Sequence, residues 1–155
     1  MNAANWTKGE PTLRVFLSYE QSDRPYADRL RHLLSQAQGI GHRIFTTDSL
    51  SAGEDWSNKL REEIAGSDVF LVLLSPSSAR SKWVLQELGA AWALNKPIIP
   101  VLTHPELSVK PPVELSDARI VSLESLESPE TVRELLEPYE QRILTAHNGQ
   151  QTAKG

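Results

Sequence analysis

The chain has 155 residues, and its 16 Lys+Arg against 20 Asp+Glu leave a formal charge of −4, which suits one domain with its own core and supplies no clustered cationic surface for nucleic-acid phosphates. Apolar residues at 39% and charged residues at 23% exclude a mainly disordered chain, and the absence of Cys removes disulfides, thiolate zinc ligands and a thiol nucleophile. No apolar run approaches the roughly 20 residues that span a bilayer, and the N-terminus lacks the basic and apolar regions of a signal peptide, so neither nucleic acid nor membrane is an expected partner and the expected location is cytoplasmic.

Residues 1–11 read as a flexible N-terminus. Leu13-Arg14-Val15-Phe16-Leu17-Ser18 predicts a first strand, and a helix over 24–37 follows with Tyr26, Leu30, Leu33 and Leu34 on one face. Asp23 before Arg24-Pro25 is the expected N-cap, because a carboxylate can accept the orphan amides of the first turn and proline loses nothing there. His42-Arg43-Ile44-Phe45-Thr46 predicts a short second strand, and residues 47–53 a loop of small polar residues. Ser51 and Glu54 have capping-box spacing, and Trp56, Leu60 and Ile64 recur every four residues, so a second helix is expected up to about Gly66.

Val69-Phe70-Leu71-Val72-Leu73-Leu74 is uninterrupted apolar sequence, as in a parallel strand buried between two helix layers. Ser75-Pro76 ends it, a helix follows over 82–95, and residues 97–102 supply a fourth strand. Residues 103–118 hold three prolines and no periodicity, Ile120-Val121-Ser122-Leu123 is a weak fifth strand, and Ser128-Pro129 opens a last helix that carries Pro138 inside it.

Strand–helix alternation in this order predicts an α/β, flavodoxin-like, doubly wound parallel five-stranded sheet of order 2-1-3-4-5 with helices on both faces. The domain is expected over 12–145, with 146–155 a flexible tail or the start of a linker. Ligands of such sheets bind beyond the carboxyl ends of the strands, which directs attention to residues 18–23, 46–53 and 75–87.

His32, His42, His104 and His147 are scattered, so no metal site is predicted. The phosphate-cradling glycine loops and the Gly-x-Ser-x-Gly turn of serine hydrolases are missing too. A phosphorelay receiver would need an acidic pair after the first strand and an Asp after the third, where Ser18-Tyr19 and Ser75-Pro76 stand. The informative segment is 81–91. There Val84, Leu88, Ala91 and Trp92 form an apolar helix face, while Trp83 and Glu87 stand one turn apart at its edge. Burial would raise the pKa of Glu87, and a cationic ligand would hold it ionised. On residue type alone a helix Glu is ordinarily solvated or ion-paired, and a Trp there ordinarily packs the core.

From Arg14 to Leu102 the sequence resembles a Toll/interleukin-1 receptor (TIR) domain, closest in character to the bacterial type. The resemblance lies in Val15-Phe16-Leu17-Ser18-Tyr19 with Asp23, in Phe45-Thr46-Thr47-Asp48 leading into Leu50-Ser51-Ala52-Gly53-Glu54-Asp55-Trp56, in Ile64-Ala65-Gly66-Ser67-Asp68 before Val72-Leu73-Leu74-Ser75-Pro76, and in Ser81-x-Trp83-x-x-x-Glu87-Leu88. Val84 stands where the family often has Cys, and Ser51-Ala52-Gly53 replaces the Pro-Gly turn of many receptor members.

That resemblance implies an enzyme cleaving the nicotinamide–ribose bond of NAD+, to ADP-ribose or a cyclic ADP-ribose, with NAD+ as substrate and no cofactor. It implies Glu87 as the catalytic carboxylate, Trp83 as the stacking residue, and Ser18, Tyr19, Asp48 and Leu50 as the pocket border. Each of these four has a local alternative as strand cap, turn residue or loop plug. It further implies head-to-tail self-association with other TIR domains through a loop containing Ser51, Gly53 and Trp56, a sensor domain attached to the chain, and a role in antiviral defence signalling. The alternative is a non-catalytic interaction module that signals through TIR–TIR contacts.

Overall fold

The structure is a computed structural model that describes residues 9–49, 55–106, 111–112, 115 and 117–153. Its strands are β1 (Thr12–Ser18), β2 (Gly41–Phe45), β3 (Val69–Leu74), β4 (Ile98–Leu102) and β5 (Val121–Ser122), and its helices are α1 (Arg24–Ser35), α2 (Trp56–Gly66), α3 (Lys82–Ala93) and α4 (Pro129–Thr152). All strand pairings are parallel and the order is β2-β1-β3-β4-β5, the flavodoxin-like arrangement expected from the sequence.

The sheet separates two apolar layers. Leu13, Val15 and Leu17 point from β1 toward α1 and α4, while Phe16 points to the other side, where α2 and α3 pack. All six residues of β3 are buried, because the central strand is covered on both faces, which is why its sequence has no polar alternation. Phe16 and Phe70 stack at 5.1 Å beneath α2 and α3. Alternation along β1 therefore directs Ser18, two residues after Phe16, to the α2/α3 side of the sheet at its carboxyl end.

Several local expectations differ. Asp23 precedes α1, yet its side chain makes no capping bond; buried, it accepts a hydrogen bond from Ser75 Oγ instead. That bond joins the start of α1 to the exit of β3, whose turn is closed by Ser78 Oγ accepting from the Ser75 amide at 2.8 Å. Ser51 and Glu54 of the expected capping box lie outside the described residues, and α2 is capped by Asp55, which accepts from the Asn58 amide. Trp92 is 60% exposed rather than part of the buried face of α3; at 100° per residue it sits about 80° round from Val84, off the centre of the stripe.

α4 runs without interruption past Pro138 to Thr152, through residues assigned from sequence to a flexible tail. Those last turns carry no apolar stripe to reveal them and are steadied by contacts such as His147 with Gln151 one turn on, 3.0 Å apart. The edge strand β2 is tied to the same helix by His42 Nε2 and Glu140 Oε1 at 2.8 Å. Gly39, at φ +140°, lets the Glu140 carboxylate approach so closely that a Cβ would stand 2.7 Å from Oε2. No helix among the described residues is long and apolar enough to cross a membrane.

Candidate active site

The carboxyl ends of β1 and β2 and the first turns of α2 and α3 converge on one corner of the sheet. α3 starts there because Ser81 caps it, accepting from the Val84 amide at 3.3 Å. Val84, Leu88 and Ala91 then bury the inner stripe of the helix. With that stripe against the sheet, Glu87 turns inward beside it and is only 1% exposed.

Ser18 Oγ donates to Glu87 Oε1 at 3.0 Å. The other oxygen, Oε2, is buried and has no hydrogen-bond partner among the described residues. Burial pushes the Glu87 carboxyl up from 4.5 to about 8, against the lowering pull of the Ser18 hydroxyl and of the Trp83 and Thr47 side chains. A buried carboxyl whose pKa is raised by burial is one that a nearby positive charge would draw toward the carboxylate form.

A second polar group holds the rim. Tyr19 donates its hydroxyl to Asp48 Oδ2 at 2.9 Å, Thr46 Oγ1 donates to Oδ1, and Arg31 lies 3.6 Å from the same carboxylate. Partial burial of Asp48 opposes ionisation, but the hydrogen bonds from Thr46 and Tyr19 and the charge of Arg31 outweigh it and hold the carboxyl below its ordinary range. Burial and the Asp48 contact push the Tyr19 hydroxyl up to about 12, so it remains a neutral donor. With these partners in place, the Asp48 oxygens shape the rim.

Two cavities adjoin the Glu87 region. The outer one, about 290 Å³, is lined by Tyr19, Glu20, Gln21, Thr47, Asp48, Trp56 and Trp83. A smaller one of about 120 Å³ lies between α2 and α3 and has Glu87, Leu60, Ile64 and Ala90 on its walls. Trp56 lines both, and its ring stands 4.2 Å from that of Trp83, centroid to centroid, with planes inclined by 41°. Another cavity, about 360 Å³, opens at the amino ends of β3 and β4 beside Asp68, Lys96 and Tyr139, away from this corner. Among the described residues no three His, Asp or Glu side chains come together as metal ligands.

Of the residues singled out from sequence, Glu87, Ser18, Trp83, Tyr19 and Asp48 are brought to one corner. Leu50, Ser51 and Gly53 lie outside the described residues. Trp56, assigned to an assembly loop, is on the first turn of α2 and touches Trp83. Thr47 beside Glu87, Arg31 on Asp48, and Glu20 and Gln21 on the outer cavity are additions. Thr47, Glu20 and Gln21 adjoin the predicted residues in sequence and were legible as neighbours. Arg31 carries no local signal, since it reaches the site from the side of α1.

Removing the Ser18 hydroxyl tests this electrostatic arrangement. A hydrogen bond to a charged group contributes about 1.5–3 kcal/mol, so Ser18→Ala is expected to move the titration of Glu87 upward by roughly one to two pH units. NMR titration of the Glu87 side-chain carboxyl carbon reads this directly, and an unchanged midpoint would show that the hydroxyl does not favour the anion.

The family model for the TIR domain matches residues 15–136, and the chain belongs to the TIR-domain family. No curated protein matches it by sequence. Among solved structures it is similar to the TIR domain of the Toll-related receptor TRR-2 from Hydra magnipapillata, at 19% identity and TM-score 0.64, over 82% of this chain and 98% of that one. It is similar to the CMP N-glycosidase BcmB of Clostridium botulinum at 18% identity and TM-score 0.53, over 79% and 97% of the two chains. A third likeness is to the TIR domains of the activated Roq1 resistosome that recognises the effector XopQ, at 21% identity and TM-score 0.50, over 86% and 82%. At these identities the likeness is one of fold.

Proposed function

We propose that this TIR domain is an NAD+ nucleosidase, with Glu87 as the catalytic carboxylate, Trp83 as the residue that stacks on the leaving ring, and Ser18 as the hydrogen-bond donor that orients Glu87. The observation that carries the reading is the setting of Glu87, a buried carboxyl with one oxygen held by Ser18 and the other unpartnered among the described residues, directly behind Trp83 at the ligand-binding edge of the sheet. A structural carboxyl would be expected to find a cation or a full set of donors, because an unsatisfied buried group costs about 1–3 kcal/mol.

The reaction suits that environment. The bond between ribose C1′ and the pyridinium nitrogen breaks with its electron pair passing to nitrogen, so nicotinamide leaves neutral and needs no proton. Positive charge develops on C1′ and O4′ of the sugar, and the Glu87 carboxylate stabilises it across a low-dielectric gap. Water then adds to C1′ and releases a proton, giving ADP-ribose. Capture by an adenine nitrogen of the same molecule gives a cyclic ADP-ribose instead. Tyr19 and Asp48 hold the rim against which the remainder of the dinucleotide lies. That BcmB, an N-glycosidase of a nucleotide by its name, shares the fold supports the idea that this architecture accommodates cleavage of an N-glycosidic bond.

We further propose that the chain acts after self-association, with residues 47–56 facing another copy. The likeness to TIR domains of a resistosome is compatible with this, as is a part in antiviral defence signalling from a cytoplasmic location. One observation favours the second reading, a non-catalytic interaction module: Glu87 is 1% exposed and closed off from the outer cavity. Incubating dilute and concentrated protein with NAD+ and quantifying nicotinamide separates the two readings. Release that climbs faster than protein concentration is the expected result, and none at any concentration would leave only the interaction module.

A further inference from the structure

Trp56 stands at the junction of the two cavities beside Glu87. Among the described residues Trp56 is common to the walls of both cavities, the outer one at the rim and the inner one that holds Glu87. Its ring lies 4.2 Å from that of Trp83, centroid to centroid, whereas a third ring between them would need roughly twice a stacking distance of about 3.5–4 Å. A flat ring therefore cannot lie on this face of Trp83 while Trp56 does.

We propose that Trp56 is a plug: its indole occupies, on Trp83, the position that the leaving ring of the substrate must take, and it has to swing out before the substrate can reach Glu87. This rests on the nucleosidase reading and specifies how the same site is held shut. Trp56 can leave without unwinding α2, because that helix start is secured independently of the ring. Asp55 caps it, accepting from both the amide and the side-chain nitrogen of Asn58, and Leu60 and Ile64 anchor the next turns in the core. Trp56 is 40% exposed, so part of its surface is already wet before it turns toward solvent. With the ring away, the two voids of about 290 and 120 Å³ would together fall within the span of about 300–1,000 Å³ usual for small-molecule sites.

The plug lowers apparent affinity by the fraction of time it is in place. Aromatic pairing contributes about 0.5–1.5 kcal/mol beyond burial, so removing it should raise kcat/KM of the unassembled protein by roughly two- to tenfold. The test compares nicotinamide release from NAD+ by wild type, Trp56→Ala and Trp56→Leu at low protein concentration. Leucine preserves an apolar cover on α2, and a thermal melt of each protein checks that it is folded. Alongside, the exciton couplet that two indoles at this distance produce in circular dichroism is followed as Glu87→Gln protein is titrated with NAD+.

Faster turnover in both variants and loss of the couplet at saturating NAD+ are expected. Folded variants that turn over no faster than an active wild type, or a couplet that survives saturation, would overturn the plug and leave the nucleosidase reading standing. Silence from wild type and both variants at every concentration would overturn that reading and the plug with it.

Discussion

Replacing Glu87 by Gln is expected to lower nicotinamide release from NAD+ by about 10²–10³-fold, the range seen when one preorganised electrostatic partner is removed from a transition state, while making the fold more resistant to alkali. The two effects share a cause. The carboxyl titrates at about 8 in the folded chain and at 4.5 as an ordinary glutamate. The folded state therefore keeps a proton that the unfolded chain gives up.

Stability associated with Glu87 is complete below the lower value and is lost as pH rises toward the upper one, on the order of 4 kcal/mol by pH 8. Each kcal/mol moves the melting temperature of a domain this size by about 2–4 °C. Glutamine keeps the shape and an oxygen for Ser18 but has no proton to lose. Melting curves of the two proteins should accordingly be close near pH 5 and separate steadily up to pH 8, with the variant melting higher. A gap that does not widen would mean that burial is not what raises the carboxyl, and undiminished turnover would remove Glu87 from the reaction.

The second large effect is the pH profile of the wild type. kcat/KM follows groups of the free enzyme, and on the nucleosidase reading the anion is the form that would shelter positive charge on the sugar. With the carboxyl at about 8, kcat/KM should approach a tenfold fall per pH unit well below that value, roughly fiftyfold in all between pH 8 and pH 6. kcat should bend at a lower pH, because on the same reading the cationic pyridinium ribose would lie beside the carboxylate and favour its charged form. Initial rates over pH 5.5–9.5 decide the matter. A kcat/KM that stays level from pH 6 to pH 8 would be incompatible with a buried, uncharged Glu87 in the resting protein.

On the nucleosidase reading, the two effects together would describe an acid whose stability cost and whose use have one origin. Folding pays for a carboxyl in an apolar corner, and a cation that binds there recovers part of that cost by meeting the charge. Ser18 is the direct hydrogen-bond donor to Glu87, and burial outweighs the lowering pull of Ser18, Trp83 and Thr47 together. A carboxylate saturated with hydrogen bonds would titrate low and would have little affinity left for a developing positive charge.

Much of this was legible from residue order alone, wherever the information is local. The continuous apolar run of β3 announced a strand covered on both faces, and the spacing of Ser81, Trp83 and Glu87 put a carboxyl and an indole one turn apart near a helix start. Periodicity encodes such relations because backbone geometry repeats within an element.

Other relations had to wait for tertiary packing. Asp23 could cap its own helix or reach another element, and only the arrival of Ser75 from β3 decided for the latter. Arg31 stands on α1 and acts on Asp48 beyond β2, a pairing no spacing rule anticipates. Glu87 at the edge of an apolar stripe could have faced water or the core, and the packing of α2 against α3 turned it inward. Trp56 and Trp83 belong to different helices, each with a periodicity that says nothing of the other, so their contact exists only because the sheet sets those helices side by side. The chain's own order determined which chemistry stands at this rim, through local repeats of strand and helix; the three-dimensional packing decided how that chemistry is buried, tuned and closed, because those properties depend on neighbours far away along the chain.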